Sequence, residues 1–154
     1  MTLQDLASVA VILGALLGVP TLIIGVIEFS RQGAQRRASH YLEQRKRFRT
    51  DTILYEIIGL LEADSPKLRR YSTPDRAHLL GMFEELALLL NSGLVTRHVA
   101  HYMFGYPALL CWKSRNFWHG LDRDSNYWAL FRDFAMQMKT VEDSFSFNRR
   151  DFRF

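Results

Sequence analysis

The sequence predicts an all-α protein with one N-terminal transmembrane helix, a basic juxtamembrane helical stem and a compact bundle of about four cytoplasmic helices. Residues 6–27 lack any charged side chain, apolar residues recur at helical spacing from residue 41 onwards, and no segment shows a convincing strand-type alternation. The expected organisation is a transmembrane anchor over residues 1–29, a basic amphipathic stem helix over 30–62, a cytoplasmic helical domain over 63–144 and a Phe/Arg-rich tail over 145–154.

Residues 6–27 have the length and composition of a membrane-spanning helix. Such a run makes a helix of about 33 Å, which is enough for a hydrocarbon core of about 30 Å. The positive-inside rule predicts an external N-terminus and a cytoplasmic C-terminal domain. A cleavable signal peptide is disfavoured, because it has positive charge before a shorter apolar run. No Lys or Arg precedes this run, whereas seven basic residues follow it: Arg31, Arg36, Arg37, Arg45, Lys46, Arg47 and Arg49.

Small residues form a stripe along one face of the predicted membrane helix. Gly14 and Gly18 form the Gly-x-x-x-Gly motif, in which missing side chains let two helix backbones approach closely. Glycine is also frequent in membrane helices generally, so the motif alone is a weak signal. The longer stripe predicts packing against integral membrane protein subunits, or against a second copy in a homo-oligomer. Its candidate packing residues are Ala10, Gly14, Gly18, Thr21 and Gly25.

The positive charge of the chain is concentrated beside the predicted membrane helix. The formal net charge is +4, yet residues 31–49 carry +6 and residues 50–148 carry −2. A nucleic-acid binder normally places its positive field on the folded domain, so no nucleic-acid partner is predicted. The basic segment fits a topology signal that also contacts anionic lipids. The candidate head-group ligands are Arg31, Arg36, Arg37, Arg45, Lys46 and Arg47.

Breakers and caps outline the stem and the first helix of the domain. The stem meets no strong breaker before Pro66, although Gly33 and Thr50-Asp51 are weak points. Thr73, followed by proline and aspartate, predicts the N-cap of a helix that stops at Asn91-Ser92-Gly93. This helix is the most apolar element and is expected at the centre of the domain.

Three further helices are predicted in the rest of the domain. Thr96 caps a short helix that extends to about Phe104, where Gly105-Tyr106-Pro107 is expected to break it. Pro107 then starts a helix that runs to about His119. Ser125 caps the last helix, which is predicted from Asn126 to about Asp143.

No set of side chains predicts catalysis, a metal or a cofactor. The His and Glu residues of the domain lack the Glu-x-x-His and His-Glu-x-x-His spacings of metal sites. They are His78, Glu84, Glu85, His98 and His101. Cys111 is the only cysteine and is expected in the core. A partial calcium-loop pattern consists of Asp122, Asp124, Asn126 and Asp133. It lacks the glycine that such a loop requires, and the start of a helix explains the same residues equally well.

Aromatic residues are abundant near the C-terminus. Most of them are expected to fill the core of a small domain, and the surplus suggests a contact surface, since aromatic residues and arginine dominate protein interfaces. A stacking platform for single-stranded nucleic acid would use the same residue types, but the negative domain charge argues against it. The candidate partner contacts are Trp112, Trp118, Phe152, Arg153 and Phe154.

The segment Phe83-Glu-Glu-Leu-Ala-Leu-Leu-Leu-Asn-Ser-Gly-Leu-Val95, followed by Phe104-Gly-Tyr-Pro107 and Trp112, resembles a bacterial family of small single-pass membrane proteins with a helical domain of unknown function. The resemblance covers about residues 5–143. It implies a membrane helix, a basic stem and a helical cytoplasmic domain in the bacterial inner (cytoplasmic) membrane. No catalytic or ligand residues are assigned in the family, so none is implied here.

These observations favour a non-catalytic accessory or scaffold subunit of a larger membrane protein complex. The small-residue face and the cytoplasmic aromatic residues would contact the partners. Two alternatives remain at this point. One is a membrane-tethered regulatory module that binds a soluble partner or anionic lipid, and the other is an enzyme without a recognisable motif.

Overall fold

The computed structural model describes residues 28, 33, 39, 42–144 and 146–152, without the side chain of Arg149. The chain divides into two compact units, Met1–Arg36 and Arg37–Phe154, and the two described residues of the first unit are helical. None of the described helices is both long and apolar enough to cross a membrane. The following predicted site residues lie outside the described ones: Ala10, Gly14, Gly18, Thr21, Gly25, Arg31, Arg36, Arg37, Arg153 and Phe154.

The prediction of an all-helical domain is confirmed, since the described residues form helices and contain no strand. We name the helix described over residues 42–50 α1. The other α-helices are α2 (Thr52–Leu61), α3 (Thr73–Asn91), α4 (Arg97–Ala100), α5 (Tyr106–Lys113) and α6 (Ala129–Asp143). Three 3-10 turns, Pro66–Arg70, Asn126–Trp128 and Arg149–Asp151, and a π-helix, His101–Gly105, complete the described elements.

Asp51 interrupts the predicted stem between α1 and α2, at the weak point that the sequence indicates. Its backbone is extended, and its Oδ1 accepts hydrogen bonds from the amides of Ile53 at 3.0 Å and Leu54 at 3.1 Å. The other carboxylate oxygen lies 3.0 Å from His78 Nε2 on α3. The Leu54 amide and then His78 lower the pKa of Asp51, although burial opposes them. Asp51 therefore caps α2 and fixes it to α3.

The central helix α3 begins one residue earlier than predicted. Ser72, not Thr73, is the N-cap, because the Ser72 hydroxyl accepts from the Asp75 amide while the Asp75 carboxylate accepts from the Ser72 amide. This reciprocal pair is a capping box. The sequence offers two adjacent hydroxyl residues, and the position of Asp75 three residues after Ser72 selects the first. Pro74 occupies the first turn as expected.

The predicted helix break at Gly105-Tyr106-Pro107 is wrong. The helix continues from Arg97 to Lys113, and residues His101–Gly105 form a π-helix within it. Pro107 lacks an amide hydrogen, so a regular α-helix would lose a hydrogen bond at this point. The wider π turn shifts the hydrogen-bond register and accommodates proline without ending the helix.

Asp64 ends α5 earlier than the predicted residue His119. The helix stops at Lys113, and the carboxylate of Asp64 receives hydrogen bonds from Ser114 Oγ at 2.5 Å, from the Asn116 amide at 3.1 Å and from the Arg115 amide at 3.3 Å. Burial raises the pKa of Asp64, but these hydrogen bonds outweigh it and lower the pKa below its ordinary value. Asp64 itself has a positive φ of 41°. We call this cluster the Asp64 lock.

Arg76 is hydrogen-bonded to the segment that follows the Asp64 lock. It is a buried residue of α3, and its guanidinium donates to the carbonyls of Phe117 and His119, both at 2.7 Å. Burial lowers its pKa. No carboxylate lies within ion-pair distance of Arg76 in the described part of the chain, so carbonyl oxygens compensate its charge.

Phe83 of α3 lies at the centre of the core, as the sequence predicts for this helix. Its ring centroid is 5.7 Å from Phe48 of α1, 5.3 Å from Phe131 and 6.2 Å from Phe134, both of α6. The last α-helix begins three residues later than predicted, at Ala129, because residues Asn126–Trp128 form a 3-10 turn. Ser125 accepts from the Tyr127 amide, and the turn Asn126–Trp128 leads directly into α6. Aromatic contacts of Phe83 thus join α1, α3 and α6 in the core.

Candidate functional site

Helix α1 has an inner face that is fixed to the domain. Phe48 is buried and its ring lies 5.3 Å from Phe104. Arg47 Nη1 is 3.3 Å from a carboxylate oxygen of Glu85 on α3, and Gln44 donates to the same oxygen at 2.7 Å. Arg47 was predicted to bind lipid head groups. In the structure it forms a solvent-exposed ion pair with the domain.

The outer face of α1 is basic. Residues at spacings of three, four and seven share one face of a helix. Leu42, Arg45, Lys46 and Arg49 follow this spacing, and all four are exposed. Within the described part of the chain the three basic side chains form no ion pair or hydrogen bond. The two predicted head-group residues Arg45 and Lys46 therefore remain available, together with Arg49.

An apolar groove adjoins this basic face. It has a volume of about 360 Å³ and is open to solvent. Its lining comes from α1, from the α4–π helix and from the C-terminal tail: Leu42, Arg45, Val99, Tyr102, Met103, Phe147 and Phe152. Three of these side chains are largely exposed, Leu42 by 54%, Tyr102 by 67% and Phe147 by 73%. Among the described residues of this lining, Arg45 is the charged one.

The tail builds one wall of the groove. Phe152 packs edge-on against Tyr102 with ring centroids 5.4 Å apart, and Phe147 stacks on Phe152 at the same distance. The Thr96 hydroxyl donates to the carbonyl of Asp151 at 3.4 Å. Phe152, a predicted partner contact, is therefore half-buried against its own domain. Phe147, which is not among the contacts predicted from the sequence, is largely exposed.

The two predicted tryptophan contacts also belong largely to the domain itself. Trp118 is only 7% exposed, and its indole nitrogen donates to the carbonyl of Cys111 at 2.9 Å. It is a core residue, so it does not form the expected contact surface. Trp112 is half-buried beside Trp118, and the guanidinium of Arg123 covers its ring at 4.7 Å.

The acidic and histidine residues considered for catalysis have structural contacts. Glu84 and Glu85 diverge on α3, as expected for neighbours in a helix. Burial raises the pKa of Glu84, and a hydrogen bond from the Phe131 amide at the first turn of α6 opposes this shift. Burial also lowers the pKa of His101. Among the described residues, no three His, Cys, Asp or Glu side chains come together in a group that can hold a metal ion.

The calcium-loop residues and Cys111 have ordinary structural roles. Asp122 Oδ1 accepts from the Asp124 amide at 3.1 Å, which closes a turn ahead of the Ser125 cap. Arg132 donates to the carbonyl of Asp124 at 3.0 Å. Cys111 is fully buried, and burial raises the pKa of its thiol well above the ordinary value. Its thiolate is therefore disfavoured, and so is nucleophilic chemistry at this residue.

Sequence reasoning missed the groove because its lining comes from three separate segments. Arg45 and Leu42 are visible as an i, i+3 pair, and Tyr102 stands on a predicted helix, but nothing in the sequence brings them next to Phe147. Comparison with known proteins adds no further guide: no family, curated protein or solved structure matches this chain.

Proposed function

We propose that the chain is a membrane-anchored, non-catalytic accessory subunit of a larger membrane protein complex, in the bacterial inner membrane with its helical domain in the cytoplasm. One observation carries the structural part of this proposal. Helix α1 holds the domain through Phe48 and Arg47 on one face, and it presents basic side chains on the other face that have no ion pair with any described residue. A basic face of this kind suits a helix that lies beside anionic lipid.

The segment before α1 supports the same proposal. The uncharged run ends at Ile27, only 15 positions before Leu42, and this interval contains Arg31, Arg36 and Arg37. A segment of this length spans at most about 50 Å when fully extended. If residues 6–27 cross the membrane, the start of α1 is therefore held within about 50 Å of the bilayer, where the domain can contact neighbouring subunits.

The contact with other subunits is proposed for the small-residue face of the membrane helix. Gly14 and Gly18 let two backbones approach, and apolar burial cannot substitute for that packing because lipid is equally apolar. The partners are integral membrane protein subunits or a second copy of the chain. The cytoplasmic contribution of aromatic residues is smaller than the sequence suggests, since Trp118 is buried and Phe152 packs on Tyr102.

A membrane-tethered regulatory module is the second candidate, and the open groove favours it. Exposed Tyr102 and Phe147 give the domain a binding surface of its own. Such a module would function without a stable complex. The two candidates therefore differ in whether partners remain associated after extraction in mild detergent.

Substitution of Gly14→Leu together with Gly18→Leu tests the accessory-subunit proposal. Larger side chains push the helices apart, so we expect co-purifying membrane subunits to be lost in mild detergent while the protein still inserts. The control is Leu16→Ile with Ile23→Leu, which conserves volume on the opposite side of the helical projection. Full retention of partners by the double-leucine variant would contradict packing through the small-residue face.

A further inference from the structure

We propose that the groove and the outer face of α1 form one lipid-binding surface, whose occupant is an anionic phospholipid bilayer. The basic residues Arg45, Lys46 and Arg49 would bind the phosphate groups, and the exposed tips of Tyr102 and Phe147 would enter the interfacial region. The inference rests on the proposed membrane anchoring, and it adds a second, reversible membrane contact made by the folded domain.

The charge of this surface is complementary to anionic lipid. Arg45 lines the groove, and Lys46 and Arg49 lie on the same face of α1. Arg47, on the opposite face, is the basic residue of this helix that Glu85 pairs with. Among the described residues, one cation of α1 is thus paired with the domain, and the three on the other face are exposed without an ion pair.

The apolar part of the surface has the composition of a membrane interface. Tyrosine is enriched at the head-group level of bilayers, where its ring is in an apolar region and its hydroxyl is in water. Leu42 and Phe147 add apolar side chains that are more than half exposed. An apolar face beside a basic face is the combination that binds peripheral helices to anionic membranes.

The short connection to the apolar run selects lipid as the occupant. The 15 positions between Ile27 and Leu42 keep the groove within about 50 Å of the end of that run, even when fully extended. The tether therefore gives the bilayer a high effective concentration at this surface. A soluble acidic peptide could match the charge of Arg45, but no tether holds it near the groove.

The test places a fluorescent label beside the groove in the full chain. Ser146→Cys puts a thiol next to Phe147 without removing it, and Cys111 remains because it is buried. The labelled protein is reconstituted into vesicles that carry nitroxide groups on the acyl chains. We expect the nitroxides to quench the label in phosphatidylcholine–phosphatidylglycerol vesicles, and to quench it much less in phosphatidylcholine alone. High salt should weaken the quenching.

Two matched variants separate specific binding from general charge. Arg45→Gln with Lys46→Gln should lower the ratio of docked to undocked domain about 30-fold, at the usual contribution of a basic group near an anionic surface. Arg70→Gln with Arg115→Gln removes the same charge from exposed positions outside the groove and should change little. A label at Lys113→Cys, at the far end of the α4–α5 helix, should remain unquenched.

The outcomes distinguish this inference from the proposed function. Flotation after alkaline extraction measures insertion of the anchor independently. If the protein inserts but the label at residue 146 is not quenched in either lipid mixture, the lipid-binding surface is wrong and the anchor stands. If a label at residue 146 is instead shielded only in native membranes, a protein covers the groove and the inference is overturned. Failure to insert would contradict the proposed function itself.

Discussion

The carboxylate of Asp64 connects two helix ends that are distant in the sequence. Asp64 leaves α2 with a positive φ, and its carboxylate accepts from one hydroxyl and two backbone amides across a sequence separation of about 50 residues. Its carbonyl also accepts from the Asn116 side chain. Charged acceptors of this kind form stronger hydrogen bonds than neutral ones. The Asp64 lock therefore joins the end of α2 to the end of α5.

Replacement of Asp64 by asparagine tests the lock at the scale of one residue. Asparagine also tolerates a positive φ, so the change removes mainly the charge and one acceptor oxygen. We expect the free energy of unfolding to fall by about 2 kcal/mol. Thermal unfolding of the full chain in detergent, followed by circular dichroism, measures this. Asp124→Asn, at an exposed position, should cost much less.

The lowered pKa of Asp64 predicts that the stability of the domain decreases in acid. The pKa of Asp64 is lowered in the folded state from its ordinary value of 3.8. Its contribution to stability is therefore complete above about pH 4 and is lost as pH falls through the folded-state pKa. Asp64→Asn should lose less stability than the wild type between pH 5 and pH 2, about the range over which such carboxylates titrate. Equal acid sensitivity would contradict this account.

Caps whose hydrogen-bond partners lie a few residues away could be predicted from the sequence. Hydrogen bonds between residues far apart in the sequence could not. The cap at Ser125 is visible in the sequence because its partner is two residues away. Ser72 was missed in favour of Thr73, since both are good caps and only Asp75 distinguishes them. The role of Asp64 depends on Ser114 and Asn116, which tertiary structure alone brings near.

At the scale of elements, the α4–π–α5 helix is the main departure from expectation. Gly105-Tyr106-Pro107 reads as a break because glycine and proline both disfavour helix. Here the π turn accommodates Pro107, and Gly105 lets the imidazole of His101 pack against the backbone. A Cβ atom at position 105 would lie 2.5 Å from His101 Cδ2, so a side chain there requires the ring to move.

Gly105→Ala is therefore expected to destabilise the domain by about 1 kcal/mol, because the clash exceeds the gain from the better helix propensity of alanine. Gly81→Ala provides the control. Gly81 is also helical, and a Cβ atom there meets nothing within 4 Å. The substitution Gly81→Ala should therefore stabilise the domain by about 1 kcal/mol. Thermal unfolding of both variants measures the difference in sign.

A second substitution separates the ring contact from other causes. In the background His101→Ala the clash is absent, so adding Gly105→Ala should raise the midpoint of thermal unfolding rather than lower it. This reversal of sign is specific to a steric contact between the two positions. If Gly105→Ala destabilises equally with and without the His101 ring, the glycine is required by the backbone of the π turn instead.

At the scale of the whole molecule, the uneven charge predicts the orientation. Residues 31–49 carry +6, and residues 1–30 carry −2. We expect a reporter enzyme that is active only outside the cytoplasm to remain inactive when fused after Phe154. A cytoplasmic reporter at the same position should be active. The opposite pair of results would reverse the proposed topology and remove the anionic cytoplasmic leaflet from the reach of α1.

Helix content and the central role of α3 could be read from the sequence, because both follow from apolar spacing and local caps. The sequence also located the weak point of the stem at Asp51. The exposed surface could not be read in the same way. Trp118 and Phe147 are both aromatic, and only the packed structure shows that the first is buried and the second exposed.

The Asp64 lock also has a consequence for the order of folding. It closes a loop of about 50 residues that contains the whole of α3, α4 and α5. The entropy of closing such a loop must be overcome before its hydrogen bonds are gained. We therefore expect the lock to form after α3 has packed, in the second half of the folding reaction. Asp64→Asn should accordingly accelerate unfolding while leaving the rate of refolding almost unchanged.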